Sequence, residues 1–141
     1  MRLKRASAAM ACALALTIAA CGDNGVDGPT PKSVVGTYAA TTFMATAGGV
    51  TTNLLTSGAS VTLILGADGT TSGRLFVPAS VTPQVDASLA GTWTFSGPTD
   101  IDLASNTDTF LRDMVFSVSG NTLVGDQTFG ATRIQVVLTK Q

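Results

Sequence analysis

The chain of 141 residues contains no histidine and no glutamate. Its nine acidic residues are all Asp, and only eight residues are basic. Without His, neither a Ser-His-Asp nor a Cys-His nucleophile system can be assembled. His-ligated haem and ordinary zinc sites are excluded on the same ground. Cysteine is nearly absent: Cys12 and Cys21 are the only two, both in the first 21 residues. No Gly-rich loop leads into a helical pattern, so the usual phosphate cradle at a helix start is missing. Charged residues make up 12% of the chain, and a long apolar run occurs only at the beginning. These absences remove most acid–base and metal chemistry. An enzyme is not expected, nor is a cofactor.

The beginning of the chain stands apart. Arg2, Lys4 and Arg5 precede Ala6–Ala20, which is almost wholly Ala, Leu, Met, Ile and Cys. A run of 15 residues falls short of the roughly 20 that span a bilayer as a helix. A basic start, a short apolar run and the small residues Ala19 and Ala20 predict a cleaved export signal over residues 1–20. Removal of the signal would leave five basic against nine acidic residues, a net charge of −4. That charge predicts no nucleic-acid partner and no electrostatic attraction to an anionic membrane. It would also leave Cys21 as the one cysteine, with no intrachain disulfide possible. A free thiol in an oxidising compartment would be a liability.

The residues Ile18–Cys21, "IAAC", resemble the lipobox of bacterial lipoproteins: an aliphatic residue, two small residues and a cysteine. The resemblance implies that Cys21 is lipidated and becomes the first residue of the mature protein. It implies a membrane partner through that anchor, because two or more acyl chains hold a protein firmly. Gly22, rather than Asp, follows the cysteine. In the family this implies the outer rather than the inner membrane of the cell envelope. Residues 21–33 are then a lipidated Cys and flexible linker. "GDNGVDGPTPKS" (Gly22–Ser33) has one Val among Gly, Asp, Pro and Ser, too little to bury. Its faint likeness to a calcium loop lacks the full ligand alternation and the closing Glu.

From Val34 onward Thr, Val, Leu and Ala dominate, with Gly or Pro every eight to twelve residues. That spacing predicts an all-β sandwich or barrel for residues 34–141. Nine strands are expected, at Val34–Thr46, Val50–Thr56, Ser60–Leu65, Thr70–Val77, Ser88–Phe95, Asp100–Ala104, Phe110–Ser119, Thr122–Thr128 and Ala131–Lys140. One of the nine is allowed to be a loop or to continue its neighbour. Asp68-Gly69 and Ser119–Asn121 are hairpin turns, because their glycines supply positive φ. Pro78–Asp86, with two prolines, reads as a connection. Alternation sets the faces. Trp93 and Phe95 oppose Thr94, Ile101 and Leu103 oppose Asp100 and Asp102, and Ile134, Val136 and Leu138 oppose Arg133 and Gln135. Met114, Phe116 and Val118 share a face. Strands with one apolar and one wet face, joined by short turns, form an antiparallel meander. Eight such strands can close and remove the edges.

"VVGTY" (Val34–Tyr38) resembles the Gly-x-Trp opening of a lipocalin first strand, with Tyr in place of Trp. "VTLILGADGTTSGRLFV" (Val61–Val77), "LAGTWTFSG" (Leu89–Gly97), "VFSVSGNTL" (Val115–Leu123) and the closing "RIQVVLTK" resemble, in order, the hairpins of small bacterial lipocalin-like domains. The resemblance covers about 105 residues, and it implies an up-and-down barrel of about eight strands that binds a small hydrophobic ligand. Tyr38 and the short domain depart from the pattern and argue against a roomy cavity.

Among residue types left to carry function, the aromatics stand first: all eight follow residue 37. Tyr38, Trp93, Phe95 and Phe116 are the candidate ligand-lining residues, because apolar and aromatic walls suit small hydrophobic molecules. The competing expectation is that they simply fill a narrow eight-stranded interior. Arg74, Arg112 or Arg133 near a barrel rim would meet a ligand carboxylate, although exposed strand positions account for all three. Asp100 and Asp102, with Asp108 and Asp113 nearby, offer oxygen ligands for calcium, or else a solvated strand face, and no metal is expected. The sequence therefore points to a lipid-anchored, non-enzymatic envelope protein binding a small apolar ligand. The alternative is a protein-interaction module, such as a protease inhibitor acting through Gly22–Ser33 or an envelope assembly partner.

Overall fold

In the computed structural model, which describes residues 27–81 and 83–141, the chain is all-β apart from one helical turn. The expected signal peptide, Cys21 and the first linker residues lie outside the described residues. The helical turn, α1 (Pro31–Val34), falls where linker meets domain, and no helix is expected there from sequence. It forms because Thr30 caps it reciprocally with Ser33 while Pro31 starts it with a preset φ.

Ten strands follow: β1 (Gly36–Ala47), β2 (Val50–Asn53), β3 (Ser60–Leu65), β4 (Thr70–Val77), β5 (Val85–Ser88), β6 (Gly91–Phe95), β7 (Asp100–Ser105), β8 (Val115–Ser119), β9 (Thr122–Phe129) and β10 (Thr132–Lys140). Every pairing is antiparallel. With β2 and β5 set aside, the other eight follow one another around a closed up-and-down barrel. It is sealed where β10 pairs with β1 from Tyr38/Lys140 to Ala47/Thr132. β2 and β5 lengthen the wall at one end, where β2 pairs the far half of β1 and β5 the far half of β4.

Two devices bend the wall. Thr41 is a bulge in β1, at which the register with β10 slips between Ala40 and Thr42. Its hydroxyl bonds the Thr139 hydroxyl at 2.8 Å on the outside. Because strand side chains alternate, the extra residue lets both Tyr38 and Phe43, an odd number of positions apart, point inward. Gly73 sits where β4 changes partner from β6 to β5. It has φ +128°, and a Cβ there would strike the Thr62 carbonyl, so only Gly fits.

The alternation expected of β7 and β10 holds: Ile101, Leu103, Val136 and Leu138 are buried, whereas Asp102 and Arg133 are exposed. Several expected segments differ, and Val50–Thr56 is strand only to Asn53. Phe110–Met114 is not strand but a turn closed by Arg112 N to Thr109 O (3.0 Å), so β8 starts at Val115. Ser88–Phe95 is split at Leu89–Ala90, where Leu89 N bonds Gly73 O (3.1 Å) and follows the bend in β4. Val85–Asp86, expected as connection, is the start of β5. The β-ladder closes on itself, and the buried core runs from Val34 to Leu138. Residues 27–141 thus carry their own closed sheet and core, which is what independent folding requires.

Candidate functional site

The two barrel ends are built differently. At one end the turns are short: Gly66–Gly69, Ser96–Thr99 and Gly120–Asn121. Helix α1 plugs this end. Val34 is buried there, and its carbonyl accepts the Tyr38 hydroxyl at 2.7 Å. Lys140 Nζ donates to Ser33 O (3.0 Å), and Gln141 N donates to Thr37 O (2.9 Å). Trp93 Nε1 donates to Gly66 O (2.9 Å), and the Phe95 ring meets the Trp93 ring edge-on at 5.8 Å.

Tyr38, Trp93 and Phe116 are therefore interior fill, and Phe95 is half-buried against Trp93. Phe116 lies over Gly125, the partner opposite it on β9, where a Cβ would meet the Met114 sulfur and the Phe116 ring. None of these four candidate residues lines the cavity that the barrel does have. Burial pushes the Tyr38 phenol above its ordinary pKa, so it stays neutral and donates.

That cavity, of 430 Å³, opens at the opposite end and lies within the size range of small-molecule pockets. Its floor and inner wall are Phe43, Leu54 and Val77, all buried. β1 ends in Ala45 and Ala47, whose small side chains leave the space unfilled, and Ile134 on β10 faces them. Val81 and Val85 come from the long Pro78–Gln84 connection and the start of β5. Phe110 comes from the Asn106–Met114 turn. Its ring stacks at a tilt on Phe43 (5.8 Å) and edge-on with Phe129 (6.3 Å). The remaining lining is Val50, Thr52 and Thr132, so among the described residues no ionisable side chain touches the cavity. The lining escapes the sequence reading because it combines small strand residues with Leu54, Val81 and Phe110 from connections. The available signal was the apolar content of those connections: Leu54-Leu55, Val81 and Phe110-Leu111.

The charged candidates are committed elsewhere. Arg74 grips Asp86 with two bonds (2.7 and 2.6 Å) and lies over the Phe76 ring at 5.4 Å. Arg112 bridges Asp108 (2.5 Å) and Asp113 (3.1 Å). Arg133 holds both oxygens of Asp126, which also accepts Gln135 Nε2 at 3.0 Å. The Arg hydrogen bonds hold the Asp86 and Asp126 carboxyls below the usual carboxylate range. Asp100 accepts Ser117 Oγ (2.6 Å) and Asp102 accepts Ser96 Oγ (3.1 Å), apart from the Arg112 pair. The four carboxylates considered for calcium do not converge. Among the described residues, no three Asp, Glu, His or Cys side chains gather as a metal site.

A second hollow lies outside the plugged end, between Asp27–Ser33 and the β8–β9 turn. It is floored by Gly, Pro and small polar residues and has no aromatic wall. Comparison with family models, with curated proteins and with solved structures returns no match. The cavity's own geometry is therefore the guide to function.

Proposed function

We propose that this protein is an exported, lipid-anchored, non-enzymatic envelope protein with a lipocalin-like barrel that binds a small hydrophobic molecule at its open end. The observation that carries the binding reading is the 430 Å³ apolar cavity, left by Ala45 and Ala47 and roofed by Phe110. Hydrophobic burial would drive the binding, at about 25 cal/mol per Å² of apolar surface. Among the described residues the lining has no acid, base or nucleophile beyond two Thr hydroxyls, which favours holding over converting.

The anchor reading rests on the lipobox at Ile18–Cys21. The chain enters the barrel at the plugged end, and Cys21 to Asp27 spans at most about 20 Å when extended. A lipid at Cys21 would thus hold the plugged end toward the bilayer, outer rather than inner, and turn the open end away from it.

Two measurements test the proposal. The chain from Gly22, titrated with a neutral fluorescent lipophile such as N-phenyl-1-naphthylamine, is expected to show saturable enhancement at one site. Ala45→Phe, which fills the cavity, is expected to abolish it without unfolding the barrel. Signal that rises without saturation, or survives in Ala45→Phe, would overturn the binding reading. In cells, Cys21→Ser is expected to lose radioactive palmitate and accumulate uncut precursor. Unchanged labelling and processing would overturn the anchor.

A further inference from the structure

We infer that the open-end cavity selects an uncharged lipophile, such as a long-chain alcohol, ketone or quinone, over fatty acids and other anionic amphiphiles. This rests on the ligand-binding reading above and narrows it to a chemical class.

An anion moved from water to an apolar wall needs a fixed cation or several donors to replace its hydration. Among the described residues the cavity offers neither: its polar lining there consists of Thr52 and Thr132. The barrel's three arginines are not free to turn inward. Arg74 and Arg133 each hold an Asp through two parallel bonds, and Arg112 is shared by two carboxylates. Arg74 and Arg133 lie exposed on the outer wall, Arg112 is half-buried in its turn, and none of the three contributes to the cavity lining. Lys140 is at the plugged end on Ser33 O, and Lys32 lies in α1 at that same end. The three arginines and their four Asp partners sum to −1, so the outer wall offers a carboxylate head no attraction. A neutral head group meets none of these obstacles, and a single hydroxyl or carbonyl can be served by a Thr hydroxyl.

The composition supplies an unusually clean test. With no His and no Glu, the side chains hold a constant charge from about pH 5 to 8. Over that range the group of the protein that ordinarily titrates is its α-amino terminus; dodecanol, which does not ionise, reports that effect, and the further pH dependence of dodecanoate is the ligand's own. The experiment displaces N-phenyl-1-naphthylamine from the chain beginning at Gly22 with dodecanol or with dodecanoate, at pH 8 and at pH 5. At pH 8 dodecanol is expected to compete at least about tenfold more strongly, and the gap is expected to narrow at pH 5 as the acid takes up its proton. Thr132→Lys, which places a cation on the cavity lining, is expected to shift the dodecanoate-to-dodecanol preference about two- to fivefold toward dodecanoate at pH 8. Dodecanoate competing as well as dodecanol at pH 8, or a gap that ignores pH, would overturn the charge selectivity and leave the binding reading standing. Absence of saturable probe uptake would overturn the binding reading itself, and the selectivity with it.

Discussion

The plugged and open ends of this barrel share one alternating wall, yet they differ in how the inward side chains are sized and how the strands are joined. Along β1 the inward residues run from Tyr38 through Ala40 and Phe43 to Ala45 and Ala47, so no large side chain follows Phe43 toward the open end. At the plugged end, hairpin turns and α1 leave each conspicuous polar group matched: Tyr38 to Val34 O, Trp93 to Gly66 O, Lys140 to Ser33 O. At the open end the β4–β5 and β7–β8 connections are long, and among the described residues the buried Thr109 hydroxyl, next to the lining residue Phe110, has no partner. The comparison teaches that a small barrel of this kind need not be hollow throughout to offer a site. A local fall in side-chain volume at one end is enough, while packing in the rest supplies the stability.

The largest expected difference between the two regions is in stability. Phe116→Ala removes a fully buried ring from the filled region and should lower unfolding free energy by about 3–5 kcal/mol. Phe110→Ala removes a half-buried ring at the open end and should lower it by only about 1–2 kcal/mol. Urea denaturation of the two variants checks the ranking. Equal losses would mean that Phe110 is core and that the open end is not a distinct region.

Much of this architecture is legible in the sequence, and the illegible parts have physical reasons. β3 and β4 begin and end where alternation and the Asp68-Gly69 turn place them. Such strands have one buried face, and period two is then a strong constraint. Phe110–Met114 misleads because Phe110, Met114 and Phe116 are spaced evenly and mimic a strand face. In the fold, Leu111 and Met114 are buried from the same turn that brings Phe110 to the open-end cavity. The Thr41 bulge is visible only once Tyr38 and Phe43 are both required to face inward. For the site, attention to aromatics selected Tyr38, Trp93, Phe95 and Phe116, the residues that fill space. A cavity is made by what is small, and Ala45 and Ala47 carry no signal of their own in a chain rich in alanine.

The plug gives the next effect. Tyr38→Phe keeps the ring and leaves the buried Val34 carbonyl without its donor. It is expected to cost about 1–2 kcal/mol and to speed amide exchange at Val35 and Thr37, while binding at the far end is unchanged. The same variant has an alkaline signature. The Tyr38 pKa is raised in the fold, so its contribution is complete below the unfolded value of about 10 and is lost as pH rises through the folded value. The chain has one tyrosine. An alkaline fall in melting temperature identical in the wild type and Tyr38→Phe would show that the buried phenol does not stabilise the plug.

At the open end the corresponding change should act in the opposite direction. Thr109→Val keeps the shape and deletes the buried hydroxyl that has no partner among the described residues. It is expected to raise stability by about 1 kcal/mol. A loss of similar size would mean that this hydroxyl is satisfied in solution, and the contrast in polar matching between the ends would fail.

The smallest effect is the acid limb, which tests the outer wall common to both ends. Asp68, Asp86 and Asp126 have folded pKa values lowered by hydrogen bonds from Thr70, Arg74 and Arg133 respectively. For a lowered carboxyl, the stabilisation is present above the unfolded value of about 4 and is lost as pH falls through the folded value. With no His and no Glu to titrate, the melting temperature should stay level from about pH 8 to about pH 5 and fall only below about pH 4. These pairs are solvent-exposed and screened by salt, so the fall should be shallow and should shrink further in high salt. Replacing Asp86 and Asp126 with Asn should flatten it more than replacing Asp68, because each of the first two pairs with an arginine and Asp68 is held by a neutral threonine. A melting temperature that drops between pH 7 and pH 5 would require a titrating group that no side chain of the described barrel supplies. The source would then lie in residues 1–26 or in a bound partner rather than in either end of the barrel.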